Sequence, residues 1–267
     1  TQVLELHSER NPAFPGMSQP EPVAHNLKEL SQRVVESGAD VGLALDGDAD
    51  RLGVVDQQGT FITPLQTFAL LALYLLEGRG ERGPLVKSIT STSMLFRLGE
   101  LFDVPVHEAP VGFKYIGSVM MQENALMGGE ESGGFGFRGH IPERDGILSG
   151  LLFLEFMVRS GKGPAELLEE LYRRVGPHHY QRRDLSFPPE ERQRIQEHLS
   201  ASSPAELAGV RLQRTDRMDG VRFLLKDGSW VVARFSGTEP LLRLYAEASS
   251  PQQVERLLEE VTAILGL

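Results

Sequence analysis

Val41-Gly42-Leu43-Ala44-Leu45-Asp46-Gly47-Asp48-Ala49-Asp50-Arg51-Leu52-Gly53-Val54-Val55 hangs an acidic hexapeptide between two short apolar runs. Each run is bounded and apolar, the pattern of a buried strand, so 46–51 reads as a loop between strands. Taken as extended chain, residues i, i+2 and i+4 point the same way, and the carboxylates of Asp46, Asp48 and Asp50 converge. Two such charges 4 Å apart repel by about 1 kcal/mol in water and about 4 at an effective dielectric of 20, so a cation is expected among them. Oxygen donors alone select Mg²⁺ or Ca²⁺ over zinc. An EF-hand requires Gly at the sixth position and Glu at the twelfth; here these are Arg51 and Gln57, which excludes it. An aspartyl-phosphatase strand-then-D-x-D-x-[TV] pattern is closer, but Asp50 stands where Thr or Val belongs.

Working outward, Val3–Leu6 reads as a short strand and 11–22 as a Pro-rich loop. A helix is expected over 27–37, with Asn26 and Glu29 as a capping pair and Gly38 as the stop. Thr63-Pro64 opens a helix to Glu77 in cap-then-Pro order. From Pro84 strands (85–89, 104–109, 125–128) alternate with helices (93–102, 114–123, 146–159, 164–175), which argues for layered α/β structure with mostly parallel strands. The stretch 176–183 reads as a linker or first strand, with His178 and His179 as linker residues. Beyond it the order is grouped: helix 188–199, strands near 210–215, 221–225, 230–235 and 241–248, and helix 251–265. That is α+β, with hairpin turns at Asp219-Gly220 and Asp227-Gly228. Three domains are expected, over 1–58, 59–176 and 177–267.

Three further constellations carry chemistry. Gly128-Gly129-Glu130-Glu131-Ser132-Gly133-Gly134 follows an expected strand, and its carboxylates and hydroxyl suit sugar hydroxyls, which both donate and accept. The overlapping Gly134-x-Gly136-x-x-Gly139 is not a dinucleotide fingerprint, because no helix follows it. Arg234-Phe235-Ser236-Gly237-Thr238-Glu239-Pro240, with Arg243 close behind, offers two guanidinium groups, two hydroxyls and a glycine amide, an anion cradle suited to phosphate. Val111-Gly112-Phe113-Lys114 places an amine at a strand-to-helix turn, where it can meet phosphate or carry a proton.

Composition narrows the classes. Of the 267 residues 27 are Lys or Arg and 37 Asp or Glu, a net charge of −10, which argues against a general nucleic-acid or anionic-membrane surface. The longest clean apolar run, Phe68 to Leu76, is far below the ~20 residues of a membrane span. Cysteine is absent, excluding disulfides, thiolate zinc and cysteine nucleophiles, and pointing to the cytoplasm. No GxxxxGK[ST] and no HExxH occurs.

A metal loop, a sugar loop and a phosphate cradle, in that order over the whole chain, resemble the loops of the α-D-phosphohexomutases, the phosphoglucomutase/phosphomannomutase family. The resemblance implies layered α/β/α domains, namely the second half of domain 2 and domain 3, followed by an α+β C-terminal domain 4. It further implies a Mg²⁺-dependent intramolecular phosphotransferase that interconverts hexose 1-phosphate and hexose 6-phosphate through a hexose 1,6-bisphosphate, glucose 1,6-bisphosphate serving as activator and intermediate. By the same resemblance Asp46, Asp48 and Asp50 hold Mg²⁺, Arg51 sits beside the transferring phosphate, and Lys114 serves as acid or base. Glu130 and Ser132 bind sugar hydroxyls, while Arg234, Ser236, Gly237, Thr238 and Arg243 clamp the nonreacting phosphate. Gly134 in place of histidine, Glu131, and Phe113-Lys114 lean toward the glucose-type branch, with dual glucose and mannose specificity.

The family's phosphoserine lies in a motif like T-A-S-H-N-P within its first domain, and no Ser-His-Asn occurs here; Ala24-His25-Asn26 lacks the nucleophile. The expectation is therefore a piece of a phosphohexomutase, lacking its N-terminal partner domain and inactive alone. Two other readings stay open: a truncated phosphosugar-binding or regulatory module, and a metal-dependent phosphatase with Asp46 as nucleophile.

Overall fold

The acidic loop is the tip of a hairpin. β1 (Val41–Leu45) and β2 (Leu52–Asp56) pair antiparallel with Leu45 opposite Leu52, and β3 (Phe61–Ile62) pairs with β2. The computed structural model, which describes residues 2–17, 19–236 and 241–267, makes β2 fully buried at the centre of this three-stranded sheet. β1 departs from the expected buried strand: it is an edge strand whose outward residues are half-buried and whose Leu45 is exposed.

α1 (Lys28–Ser37) covers the sheet through Val34 and Leu30, which pack with Leu27, Val55 and Phe61. Its expected cap does not form. Leu27 occupies the capping position without a side-chain bond, because Asn26 Nδ2 instead donates to the carbonyls of Gln19 and Glu21, both at 2.9 Å. The expected strand at Val3–Leu6 is also absent; Val3 and Leu4 are exposed, and a strand without a partner sheet has nothing to pair its backbone.

α2 (Pro64–Leu73) begins with a complete capping box. Thr63 Oγ1 accepts from Gln66 N, and Gln66 Oε1 accepts from Thr63 N, a device worth about 1 kcal/mol. The helix continues as a π-type turn over Tyr74–Gly78 and is apolar on nearly all sides, as befits a helix enclosed by other elements.

β4 (Leu85–Ser88), α3 (Met94–Phe102), β5 (Val106–Ala109), α4 (Phe113–Glu123) and β6 (Met127–Gly129) alternate as expected, with β4 parallel to both β5 and β6. A strand unforeseen in the sequence, β7 (Phe135–Phe137), runs antiparallel to β6 and completes the order β5-β4-β6-β7. Three residues are too few to display a period. α5 (Gly146–Ser160) and α6 (Pro164–Val175) close the layer. One core cluster joins Leu52 and Val54 of the hairpin to Phe68, Leu71, Phe135, Phe153 and Leu171, so the acidic hairpin and the parallel sheet share an interior.

The C-terminal part is one antiparallel six-stranded sheet. Its elements are β8 (His179–Ser186), α7 (Arg192–Ala201), β9 (Glu206–Leu207), β10 (Val210–Asp216), β11 (Val221–Leu225), β12 (Trp230–Phe235), β13 (Leu241–Ala248) and α8 (Pro251–Leu265), with strand order β8-β13-β12-β11-β10-β9. His178 and His179 are not idle linker residues. His179 opens β8, and His178 Nδ1 lies 3.1 Å from the buried Glu247, whose Oε1 also accepts from Ser93 N at 2.8 Å.

This sheet docks on the α/β layer through Trp230, Val232 and Tyr245 against Ile89 and Val111. A buried charge cluster flanks the contact. Arg222 binds Glu108 with both Nη atoms, at 2.6 and 2.7 Å, and Asp216 at 2.6 Å, while Lys87 Nζ lies 3.0 Å from Glu108. These hydrogen bonds overcome the cost of burial and hold the Glu108 carboxyl down at about 2.

Candidate active site

The three carboxylates of the acidic loop do converge, with one ligand atom from each of Asp46, Asp48 and Asp50 lying within 4.8 Å of the others. They do so by a different route from the extended chain expected. Residues 46–49 form a turn closed by Ala49 N to Asp46 O at 3.2 Å, with Ala49 at φ +60°, and Asp46 Oδ1 accepts from the amides of Asp50 and Arg51 at 3.0 and 3.1 Å. The turn folds the backbone beneath the carboxylates.

An all-oxygen donor set fits a hard divalent cation. A second observation agrees: Asp50 Oδ1 is buried without a hydrogen-bond partner, its nearest cation being Arg51 Nε at 3.7 Å. Burial pushes the Asp50 carboxyl up to about 6; Arg144 opposes the rise, and Asp46 and Asp48 add to it by repulsion. Arg51 turns back over the loop to Glu21, 2.8 Å away, and to Asp46 at 3.4 Å.

The Gly-rich loop 130–134 is the turn between β6 and β7, and it meets the acidic loop backbone to backbone. Arg51 and Gly134 form an antiparallel bridge, and Leu52 N donates to Gly133 O at 3.0 Å. Glu130 is buried, accepts from Gly112 N at 2.9 Å, and has its carboxyl raised by burial and by Glu131. Glu131 Oε2 accepts from Thr90 Oγ1 at 2.9 Å, and Ser132 is half-buried in the same turn.

Arg144 joins the two loops and was not singled out in the sequence. Its Nη2 lies 2.7 Å from Asp50 Oδ2, its Nη1 3.9 Å from Glu130 Oε2, and its guanidinium 5.9 Å from the Phe113 ring centroid. Glycines make the approach possible. A Cβ on Gly134 would sit 2.3 Å from Arg144 Cδ, and one on Gly146 would sit 2.6 Å from Arg51 O. The legible signal was the neighbour: Asp145 N-caps α5 by accepting from Leu148 N at 2.8 Å, which fixes the turn that aims Arg144 inward.

Lys114 is not brought into this chain of contacts. It lies on the exposed side of α4, its ammonium 4.8 Å from the Tyr115 ring centroid. In the phosphate-cradle stretch, Arg234 and Arg243 stand directly opposite each other on β12 and β13 and so point to one face. Ser236 is buried and donates from its amide to Leu241 O at 2.8 Å. Gly237 and Thr238 lie outside the described residues. Arg234 Nε is held by Asp219 Oδ2 at 2.9 Å, and Arg243 Nε lies 3.7 Å from Asp184.

A three-carboxylate loop, a Gly-rich loop that carries Glu130, and an arginine pair on a docked antiparallel sheet make up the candidate site. Family comparisons agree with the resemblance read in the sequence. The model of phosphoglucomutase/phosphomannomutase alpha/beta/alpha domain II matches residues 1–59, that of domain III residues 63–175, and that of the C-terminal domain residues 189–264. The chain belongs to the phosphoglucomutase/phosphomannomutase family of α-D-phosphohexomutases.

It is 34% identical over 257 residues to the phosphoglucomutase/phosphomannomutase of Thermococcus kodakarensis, covering 96% of this chain and 54% of that protein. It is 35% identical over 232 residues to a phosphoglucosamine mutase of Nitratidesulfovibrio vulgaris, covering 86% of this chain and 47% of that one. Its fold matches the crystal structure of a phosphoglucomutase/phosphomannomutase family protein from Burkholderia thailandensis with a TM-score of 0.81 at 24% identity, over 98% of this chain and 54% of that one. The chain thus spans about half the length of the relatives it matches. Among the described residues no helix is long and apolar enough to cross a membrane.

Proposed function

We propose that the chain carries the metal-, sugar- and phosphate-binding parts of a Mg²⁺-dependent phosphoglucomutase/phosphomannomutase that interconverts hexose 1-phosphate and hexose 6-phosphate through a hexose 1,6-bisphosphate. The observation that carries this reading is the Arg51–Gly134 bridge, which sets the carboxylate triad beside the sugar-type loop so that one hexose phosphate can touch both. The Thermococcus relative, named for both glucose and mannose, supports dual sugar use.

Asp46, Asp48 and Asp50 would hold Mg²⁺, which when bound neutralises charge on a phosphoryl group in transfer. Arg51, steadied by Glu21, presents its cation beside that group. Glu130 and Ser132 bind sugar hydroxyls, and Arg144, 3.9 Å from Glu130 Oε2, opposes the rise that burial and Glu131 impose on its carboxyl. Arg234, Ser236, Gly237, Thr238 and Arg243 grip the distal phosphate, so that binding far from the reacting centre positions it. Lys114 contributes acid–base chemistry once its side chain leaves Tyr115. The serine that donates the phosphoryl group has no counterpart in the loops of this chain, which binds hexose phosphate without converting it.

The test is calorimetric titration of the chain with glucose 1-phosphate in Mg²⁺, followed by ³¹P NMR of the mixture. Binding with no new phosphorus resonance is expected. Absence of binding overturns the assignment, and turnover overturns the claim of silence.

A further inference from the structure

Two adjacent amides at the start of α4 are each taken by a carboxylate from a different part of the molecule. Gly112 N donates to Glu130 of the sugar-type loop, while Val111 N donates at 3.0 Å to Asp219, which lies in the β10–β11 hairpin of the C-terminal sheet. The same oxygen, Asp219 Oδ2, accepts from Arg234 Nε at 2.9 Å. A single carboxylate therefore ties the cradle arginine to a fixed backbone point of the α/β layer.

How it holds that arginine matters. A carboxylate that neutralises a guanidinium outright takes two nitrogens, as Glu108 does with both Nη atoms of Arg222 in this structure. Asp219 takes Nε alone, which leaves the Nη1–Nη2 edge for a bidentate anion. The hairpin that carries it is closely packed: Val221 pairs with Ala233, and a Cβ on Gly220 would lie 2.4 Å from Ala233 O, so residue 219 is held beside the C-terminal half of β12, where Arg234 lies.

We propose that Asp219 is the positioning residue of the phosphate cradle: seated on the Val111 amide, it orients Arg234 so that the two-nitrogen edge faces the ligand's distal phosphate when the C-terminal sheet is docked. This rests on the reading of Arg234 as a phosphate ligand given above, and adds to it that the grip is assembled across the interface between the two layers.

The test is a double-mutant cycle on the chain, with glucose 1-phosphate as the titrated probe and the Val111 amide followed by hydrogen exchange. Asp219→Ala should weaken binding about tenfold, equivalent to ~1.4 kcal/mol, and speed exchange at Val111 while leaving Gly112 protected by Glu130. In an Arg234→Ala background the same substitution should cost nothing further. Asp219→Asn, which can still accept from Val111, should fall between, and it carries the comparison if the alanine variant does not fold. Unchanged or tighter binding in Asp219→Ala while Arg234→Ala weakens it would overturn this inference alone, as would an equal loss in both backgrounds. If Arg234→Ala leaves binding unchanged, the cradle reading fails and this inference falls with it.

Discussion

Arg144 Nη2 lies 2.7 Å from Asp50 Oδ2, so a cation from the turn before α5 is bound to the third carboxylate of the acidic loop and, 3.9 Å away at Nη1, approaches the buried Glu130 of the Gly-rich loop. The contact makes one electrostatic unit of two loops 80 residues apart in sequence. Replacing the guanidinium by an apolar chain of similar length, Arg144→Met, removes a cation that competes with any metal at Asp50 and loosens Glu130. Mg²⁺ affinity should rise several-fold while hexose-phosphate affinity falls by up to about tenfold, equivalent to ~1.4 kcal/mol. Titration calorimetry with each ligand separately measures both; parallel losses of both affinities would contradict the assignment.

The space above Gly134 is filled by Arg144, and a Cβ there would be 2.3 Å from Arg144 Cδ. Gly134→Ala must therefore push Arg144 off Asp50, costing about 1–3 kcal/mol. Combined with Arg144→Ala the glycine substitution should be nearly harmless, because the steric partner is gone. Urea unfolding of the two single variants and the double variant gives the coupling; additive losses would show that the clash lies elsewhere.

Glu108 ties the two layers through Arg222, with Lys87 of the neighbouring strand beside it, and its carboxyl sits at about 2 against an ordinary 4.5. A carboxyl lowered by folding stabilises the fold fully above its unfolded value, and that contribution drains as pH falls from about 4.5 toward 2. Glu108→Gln leaves the buried Lys87 without its ion-pair partner and Arg222 with Asp216 alone, and should destabilise by about 3 kcal/mol near neutrality. The gap between wild type and variant should narrow on acidification through that window, as read from unfolding curves at a series of pH values.

The oxygen triad predicts stabilisation by magnesium. At a hundredfold excess over its dissociation constant, a ligand of the native state adds about 2.7 kcal/mol, visible as a rise of several degrees in Tm. Asp48→Asn with Asp50→Asn should abolish that rise, whereas Asp56→Asn, whose carboxylate only caps the β2–β3 turn through the amides of Gln58 and Thr60, should lower the baseline Tm and keep the rise. Differential scanning with and without MgCl₂ separates the two.

Much of the architecture was legible because its signals are local. Thr63-Pro64, the apolar runs flanking 46–51, and the Asp-Gly turns at 219–220 and 227–228 act within a few residues, and the structure places a capped helix, a hairpin and two strand reversals there. Asn26 misled for the complementary reason: a side chain able to cap a helix can equally satisfy nearby loop carbonyls, and the loop at 19–21 wins. β7 and β9 escaped because strands of three and two residues are made by their partners, not by their own pattern.

The sequence by itself determined which chemistries this protein can hold: three carboxylates in one turn, a Gly-flanked pair of glutamates, and arginines spaced along a strand pair, each a local fact of residue type and spacing. Only the tertiary structure decided how they combine. Arg144 reaches Asp50 because Gly134 and Gly146 leave room for close approach, and Asp219 reaches Arg234 and Val111 because the two layers dock through Trp230 and the buried Arg222–Glu108 pair. Such contacts depend on volume and burial between segments distant in sequence, and no run of neighbouring residues encodes them.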